Sequence, residues 1–353
     1  VTVLDFIGNY KKSFLMAVAL NGKQDIDRDS LKVEVQTDFA DLPNGTYIHM
    51  DKITKQQILA QLENEKFMSI KYMRDSYFSF KRICGGNIPL LTDYLKHDGS
   101  IDPIRFIQFS PQFKSYIEFV ANVESETHPE FLLALQNPLF KTFIRFLSFY
   151  SPAKRIDEWI VIRSLLCSNN FSSSLIDLDI SIQHYVENHD IEVTKHACEV
   201  LCGKYFDKSE HSKYKDVLLQ FDGGNISFGK NIKDLLANKN ISSFAFTWVE
   251  DLVKYNILRY QGEFGRQNYG FPFLRLYNKY TMRDTALLCN YKKIHSSFRG
   301  QGLITAAKPD YFLFVNLHKN ADVKDSINYK DKFITSDVFQ WQSPNTTSQF
   351  SEI

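Results

Sequence analysis

The sequence predicts a multidomain α+β protein: a helical array, then a winged-helix-like α/β unit, then a mostly-β domain. Three observations predict it. Apolar residues recur at spacings of three and four from Thr54 to Cys167. Helical signals mix with short strand signals between about 169 and 264. After Gly262, Gly265 and Gly270, alternating strand-like runs prevail. The expected divisions are a linking segment at 1–50, helices at 51–168, the winged-helix-like unit at 169–264 and a β-rich, truncated domain at 265–353.

Element by element, 1–10 is β-rich and ends in a turn, 11–20 suits a helix or a strand, and 25–41 is acidic and broken. The stretch 46–50 alternates like a short strand. From Thr54 the period is helical through Ile58, Leu62, Ile70, Met73, Tyr77 and Phe80, with one break. Cys84-Gly85-Gly86-Asn87 stops that helix. Thr92 suits the cap of a short helix, and Asp102-Pro103 opens another. Helices are expected at 115–120, 138–150 and 157–167, and a polar hinge at 169–174. In the winged-helix-like unit they are expected at 177–188, 194–206, 232–237 and 243–255, with strands at 225–228 and 257–260. The last domain should carry strands at 271–276, 302–305 and 311–317, and a helix at 281–288 with Thr281 as its cap.

A chain of 353 residues with 44% hydrophobic and 24% charged residues is long enough for two or three packed domains. Five scattered cysteines do not read as a disulfide framework and fit a reducing cytoplasm. No apolar run reaches the length of about 18 residues that a membrane helix needs, so no membrane partner is expected. Abrupt ends at Val1 and Ile353 suggest a piece of something longer.

The net charge is only +1, yet 266–308 holds eight Lys or Arg against the single acid Asp284, a local charge of +7. A basic block with interleaved tyrosines suits a polyanion whose bases can stack; a solvated basic face over core aromatics is the alternative. Within and beyond it, Lys279, Arg283, Lys292, Lys293 and Arg299 are candidates for the DNA backbone, and Gln342, Ser343 and Asn345 for backbone or base edges. Tyr277, Tyr280 and Trp341 are candidates for stacking on a base, or are ordinary core aromatics. Asp284 either accepts from an exocyclic amine such as cytosine N4 or complements a helix N-terminus. There is no phosphate-binding GxxxxGK[ST] loop, no HExxH, and no His-x-Lys pair followed by Asp at the spacing of phospholipase D-like nucleases. The best metal candidate, His196 with Cys198, Cys202 and His189, lacks a second knuckle, so no metal and no cofactor is expected in this chain.

Several stretches resemble a known family. They are Val3-Leu4-Asp5-Phe6-Ile7-Gly8-Asn9-Tyr10, Tyr77-Phe78-x-Phe80-Lys81, Ile88-Pro89-Leu90-x-x-Asp93-Tyr94 and Gly99-Ser100-Ile101-Asp102-Pro103. Tyr277-x-x-Tyr280-Thr281-x-Arg283-Asp284, Tyr329-x-Asp331-x-Phe333 and Phe339-x-Trp341-x-Ser343 follow. Together they are similar to the C-terminal region of ATP-dependent, modified-cytosine-specific type IV restriction endonucleases of the SauUSI type. That resemblance implies a phospholipase D-like nuclease and a superfamily 2 helicase upstream, with ATP and Mg serving those domains. The segment 1–50 then leads out of the helicase, and 51–168 couples the motor to a reader. The reader would be an SRA-like (PUA-like) domain that takes 5-methylcytosine or 5-hydroxymethylcytosine out of duplex DNA by base flipping. This chain stops at Ile353, before strands in which the family continues.

Two rival readings remain from the residues alone. One is a non-specific DNA-binding accessory region of a helicase, held on DNA by the winged-helix-like unit. The other is a scaffold whose helices at 54–167 bind a protein partner or form a homodimer, through a large exposed apolar patch.

Overall fold

The computed structural model describes residues 17, 31, 35–36, 50–64, 69–97, 100–108, 113–237, 242–267, 284, 288, 303–305, 311–313, 332–333 and 339–340. The described residues are mostly helical, with one three-stranded and two two-stranded antiparallel sheets. The chain divides into two units. The first comprises Val1–Pro152 and Asn238–Arg259, the second Ala153–Ala237 and Tyr260–Ile353.

In the first unit, α1 (Lys52–Asn64) starts where Asp51 Oδ1 accepts from the backbone N–H groups of Ile53 and Thr54, at 2.9 and 3.0 Å. Ser69 caps α2 (Ile70–Ile83), which buries Met73, Tyr77 and Phe80 at helical spacing. After α3 (Leu91–Tyr94), Asp102 Oδ1 accepts from Ile104 N at 3.0 Å to begin α4 (Ile104–Gln108). Ser115 caps α5 (Tyr116–Val123). Helices α6 (Pro129–Gln136) and α7 (Pro138–Ser148) both open on proline, whose missing N–H costs nothing in a first turn. Phe80 stacks on Tyr94 at 4.1 Å between ring centroids, Phe106 lies 4.4 Å from Phe119, and all four are buried. Each such ring contributes about 1.5–3 kcal/mol through burial. The Tyr77 hydroxyl, Thr127 and Lys81 converge on buried Glu124 at 2.6–2.9 Å, joining α2 to the end of α5.

The second unit begins with α8 (Asp157–Cys167) and β1 (Ser172–Ser174). It continues through α9 (Leu175–Gln183), α10 (Ile191–Leu201) and α11 (Lys208–Tyr214), capped by Ser174, Asp190 and Asp207. Strands β2 (Gln220–Phe221) and β3 (Asn225–Ser227) follow, then α12 (Lys230–Ala237). The sheet order is β1-β3-β2, all antiparallel, with Ser173 opposite Ile226 and Phe221 opposite the same residue from the other side. Asp222 Oδ1 accepts from the N–H groups of Gly224 and Asn225 and closes the β2–β3 turn. Gly203, at φ +73, ends α10 where an added Cβ would stand 2.9 Å from Leu218, so only glycine fits both the backbone and the space.

The chain returns to the first unit in α13 (Ser242–Phe264), whose residues up to Arg259 belong there. Phe244 and Trp248 pack on Phe131 with centroids 5.1 Å apart in each case. Asp251 Oδ2 accepts from Leu91 N at 2.6 Å, and Oδ1 from Thr92 N and its hydroxyl at 3.2 and 2.7 Å. A carboxylate from α13 therefore satisfies the first turn of α3. Arg259 donates to Asp102 at 2.7 Å, and Asn256 to the Ser151 hydroxyl at 2.8 Å.

Four expectations need correction. The polar hinge at 169–174 contains β1, because three serines pair with β3. The strand expected at 257–260 is helical, a continuation of α13. Thr92 lies inside α3 instead of capping it; the cap position is Leu90. Within the acidic stretch expected to be broken, Leu31, Val35 and Gln36 are helical. In the C-terminal stretch, β4 (Leu303–Thr305) pairs with β5 (Tyr311–Leu313) and β6 (Lys332–Phe333) with β7 (Phe339–Gln340), as antiparallel ladders. Residues 284 and 288 are helical, within the expected helix. The strand at 271–276 and the sheet curvature of an SRA-like domain lie outside the described residues.

Candidate nucleic-acid interface

Of the residues proposed from sequence, Asp284 alone is described: it is helical and half-buried. Tyr277, Tyr280, Trp341, Lys279, Arg283, Lys292, Lys293, Arg299, Gln342, Ser343 and Asn345 lie outside the described residues.

In the second unit the functional groups are mostly turned inward. The His189 side chain is fully buried. Its Nδ1 lies 2.9 Å from Asp179 Oδ1 and its Nε2 2.7 Å from Asp157 Oδ1. Each ring nitrogen faces a carboxylate oxygen, an arrangement that favours the doubly protonated ring, in which both nitrogens donate. Burial alone would lower its pKa; Asp157 first and Asp179 second outweigh that and raise it above the ordinary histidine value. Gln183 at 2.8 Å and the Thr194 hydroxyl at 3.3 Å also donate to Asp179. The cluster ties α8, α9 and α10 together.

A second buried group lies beside it. Arg155 pairs with Glu158 and donates to His196 Nδ1 at 2.8 Å. Arginine has no acceptor, so His196 Nδ1 carries no proton in this contact. The two histidines considered for metal are thus engaged otherwise. Burial pushes the Cys198 thiol well up, and desolvation pushes Cys202 up to about 12, so both are protonated near neutrality. Among the described residues no group of His, Cys, Asp and Glu is placed to hold a metal ion.

Outward-facing charge differs between the units. At the start of α10, the cap Asp190 and Glu192 are exposed, and Lys195 is paired with Glu192 at 3.3 Å. Glu199 on the same helix is held by Lys204 at 2.6 Å, and the β2–β3 turn presents Asp222. Lys208, Lys213 and Lys215 are exposed in the same unit, so its outward charge is mixed. In the first unit, α2 exposes Lys71, Arg74 and Arg82 around half-buried Phe78. This face was not singled out from sequence, although the spacing 71, 74, 78, 82 is visible there. Exposed large apolar residues of the first unit are Ile53, Ile70, Ile83, Leu132, Leu133 and Leu258, on α1, the two ends of α2, α6 and α13. No described helix is long and apolar enough to cross a membrane.

A family described as domain of unknown function (DUF8090) matches residues 73–262, and one described as domain of unknown function (DUF3427) matches residues 274–353. No curated protein and no solved structure matches the chain.

Proposed function

We propose, from the premise that this chain belongs to the family described as domain of unknown function (DUF8090), that it is the DNA-binding specificity region of a modification-dependent, ATP-driven restriction enzyme. The C-terminal part, 274–353, reads 5-methylcytosine or 5-hydroxymethylcytosine in an SRA-like pocket after base flipping. The helical units couple that event to upstream helicase and nuclease domains. The observation that carries this reading is the charge: +7 within 266–308, in a chain of net +1, lying largely inside the C-terminal family match.

The second unit supports a coupling role. Its order of helix, strand, helix, helix, helix, strand, strand, with sheet order β1-β3-β2, is that of a winged helix with one helix, α11, inserted before the second strand. In such a unit α10 would enter the major groove. Exposed Asp190 and Glu192 at the start of α10 argue against it. The unit serves as a structural joint, and base reading belongs to the basic segment that follows.

A flipped base costs a few kcal/mol, offset by aromatic stacking and edge hydrogen bonds. One methyl group in an apolar pocket contributes about 1 kcal/mol, so discrimination by that contact is about tenfold or less. The test is binding of the chain to duplexes that differ only in cytosine methylation. A several-fold preference for the methylated duplex is expected; equal affinity at physiological salt overturns the proposal.

A further inference from the structure

We infer that the exposed face of α2 is a second, sequence-independent DNA contact that grips the phosphodiester backbone through Lys71, Arg74 and Arg82. The inference rests on the first unit's own geometry and not on base reading by the C-terminal part.

At 100° per residue, Arg74, Phe78, Lys71 and Arg82 fall within one arc of about 80°, centred about 130° from buried Met73, Tyr77 and Phe80, with exposed Asp75 at its edge. From Lys71 to Arg82 the helix rises about 16 Å, roughly five nucleotides of one strand. An ordinary solvated helix face interleaves signs and pairs them at i, i+4. Here the one acid nearby, Asp75, makes no ion pair with Lys71 or Arg74 among the described residues. The helix dipole accounts for Lys81 and Arg82 in the last turn. It opposes Lys71 in the first turn, where no acid stands. A cation kept at the wrong end of a helix, beside two more, points to an external anion.

The face is also preorganised. The Arg74 guanidinium sits 5.6 Å over the Phe78 ring. Arg82 is oriented by Phe78 O at 3.3 Å and Ser79 Oγ at 3.2 Å, leaving Nη1 for a phosphate. Lys81, on the flank beside Arg74, is already committed to Glu124 at 2.6 Å and anchors the helix. Beyond α2, Gly85 and Gly86 have φ of +69 and +84, and an added Cβ at either meets nothing within 4 Å. A strand of phosphates can approach that open end closely.

The test uses the whole chain and a labelled 20-base-pair duplex, methylated or not, titrated from 50 to 200 mM salt. The variant is Lys71→Gln/Arg74→Gln/Arg82→Gln; the control, Lys213→Gln/Lys215→Gln, removes exposed cations of the second unit. Each phosphate contact contributes about 0.9 to the salt slope, so the triple variant should lower it by two to three units. Affinity for both duplexes should fall equally, by about tenfold or more at 0.1 M salt. The charge-keeping variant Lys71→Arg/Arg74→Lys/Arg82→Lys should recover most of it. If the triple variant melts lower than the wild type, Lys71→Gln alone decides, with a slope change of about one unit.

A loss under threefold, or an equal loss in the control, overturns the inference. So does a loss confined to the methylated duplex, which assigns the effect to base reading. Unchanged duplex affinity with lost binding to phosphatidylserine vesicles also overturns it, in favour of a lipid surface. A wild type that ignores methylation but loses its salt slope in the triple variant sinks the C-terminal reading and leaves this one standing.

Discussion

Replacing His189 with leucine removes both donors from a buried site while keeping similar volume. The carboxylates of Asp157 and Asp179, 2.7 and 2.9 Å from the ring nitrogens, then lose their shared cation. Breaking a buried ion pair from one side costs about 3–5 kcal/mol. Asp179 keeps donors from Gln183 and Thr194. Asp157 lies in the first turn of α8, where the helix N-terminus favours negative charge. Both facts place the cost of His189→Leu near 3 kcal/mol, about two decades in a local opening constant. The assay is amide hydrogen exchange of peptides from α9 and α10, corrected for the intrinsic pH dependence of exchange. Because the folded-state pKa of His189 is raised, the stabilisation is complete below the unfolded value of about 6.5 and is lost as pH rises through the folded value. At pH 6 the variant should exchange about 100-fold faster than the wild type. At pH 9 the ratio should shrink, since a neutral ring offers one donor instead of two. A ratio that is the same at both pH values refutes the imidazolium assignment.

Asp251→Ala leaves Leu91 N, Thr92 N and the Thr92 hydroxyl without their acceptor and should cost about 3 kcal/mol in urea unfolding. Asp251→Asn, which keeps an acceptor, should cost clearly less; equal losses would mean the carboxylate caps nothing. Phe131→Ala removes the ring between Phe244 and Trp248 and should lower stability by about 3–5 kcal/mol, with a changed Trp248 emission. On the proposed function, Arg283→Ala should weaken binding to all duplexes equally and flatten the salt slope by about one unit; a loss restricted to methylated duplex would move Arg283 from backbone to pocket.

Local signals were legible where local physics decides. The helix at 157–167 has the expected bounds because its apolar residues and acidic first turn agree. Pro138, with Asn137 before it, marks α7 in the same way. Ser172–Ser174 looked like a hinge because serine has little strand propensity; its pairing with Ile226, 53 residues beyond Ser173, overrides that. Ile257, Leu258 and Tyr260 resembled a strand, yet the exposed positions 250, 254 and 258 recur every four residues, a helical period. The His189 cluster could not be read from spacing, since its partners come from α8 and α9 and are brought together only by packing. The α2 face could have been read, but charge density drew attention to 266–308 while the helix spreads its cations over 12 positions.

The first unit is interrupted: Val1–Pro152 is completed only by Asn238–Arg259. On a ribosome, the amide groups that open α3 wait for Asp251, 160 residues after Leu91. At 5–20 residues per second, that is a delay of roughly 8–30 s. Meanwhile the intervening 153–237 has emerged with β1, β2 and β3 and with Asp157 and Asp179, the two carboxylates that face His189. The three-stranded sheet and the His189 cluster can therefore form before α3 gains its acceptor, and a nascent chain stalled short of position 251 carries them complete while the first turn of α3 is still uncapped.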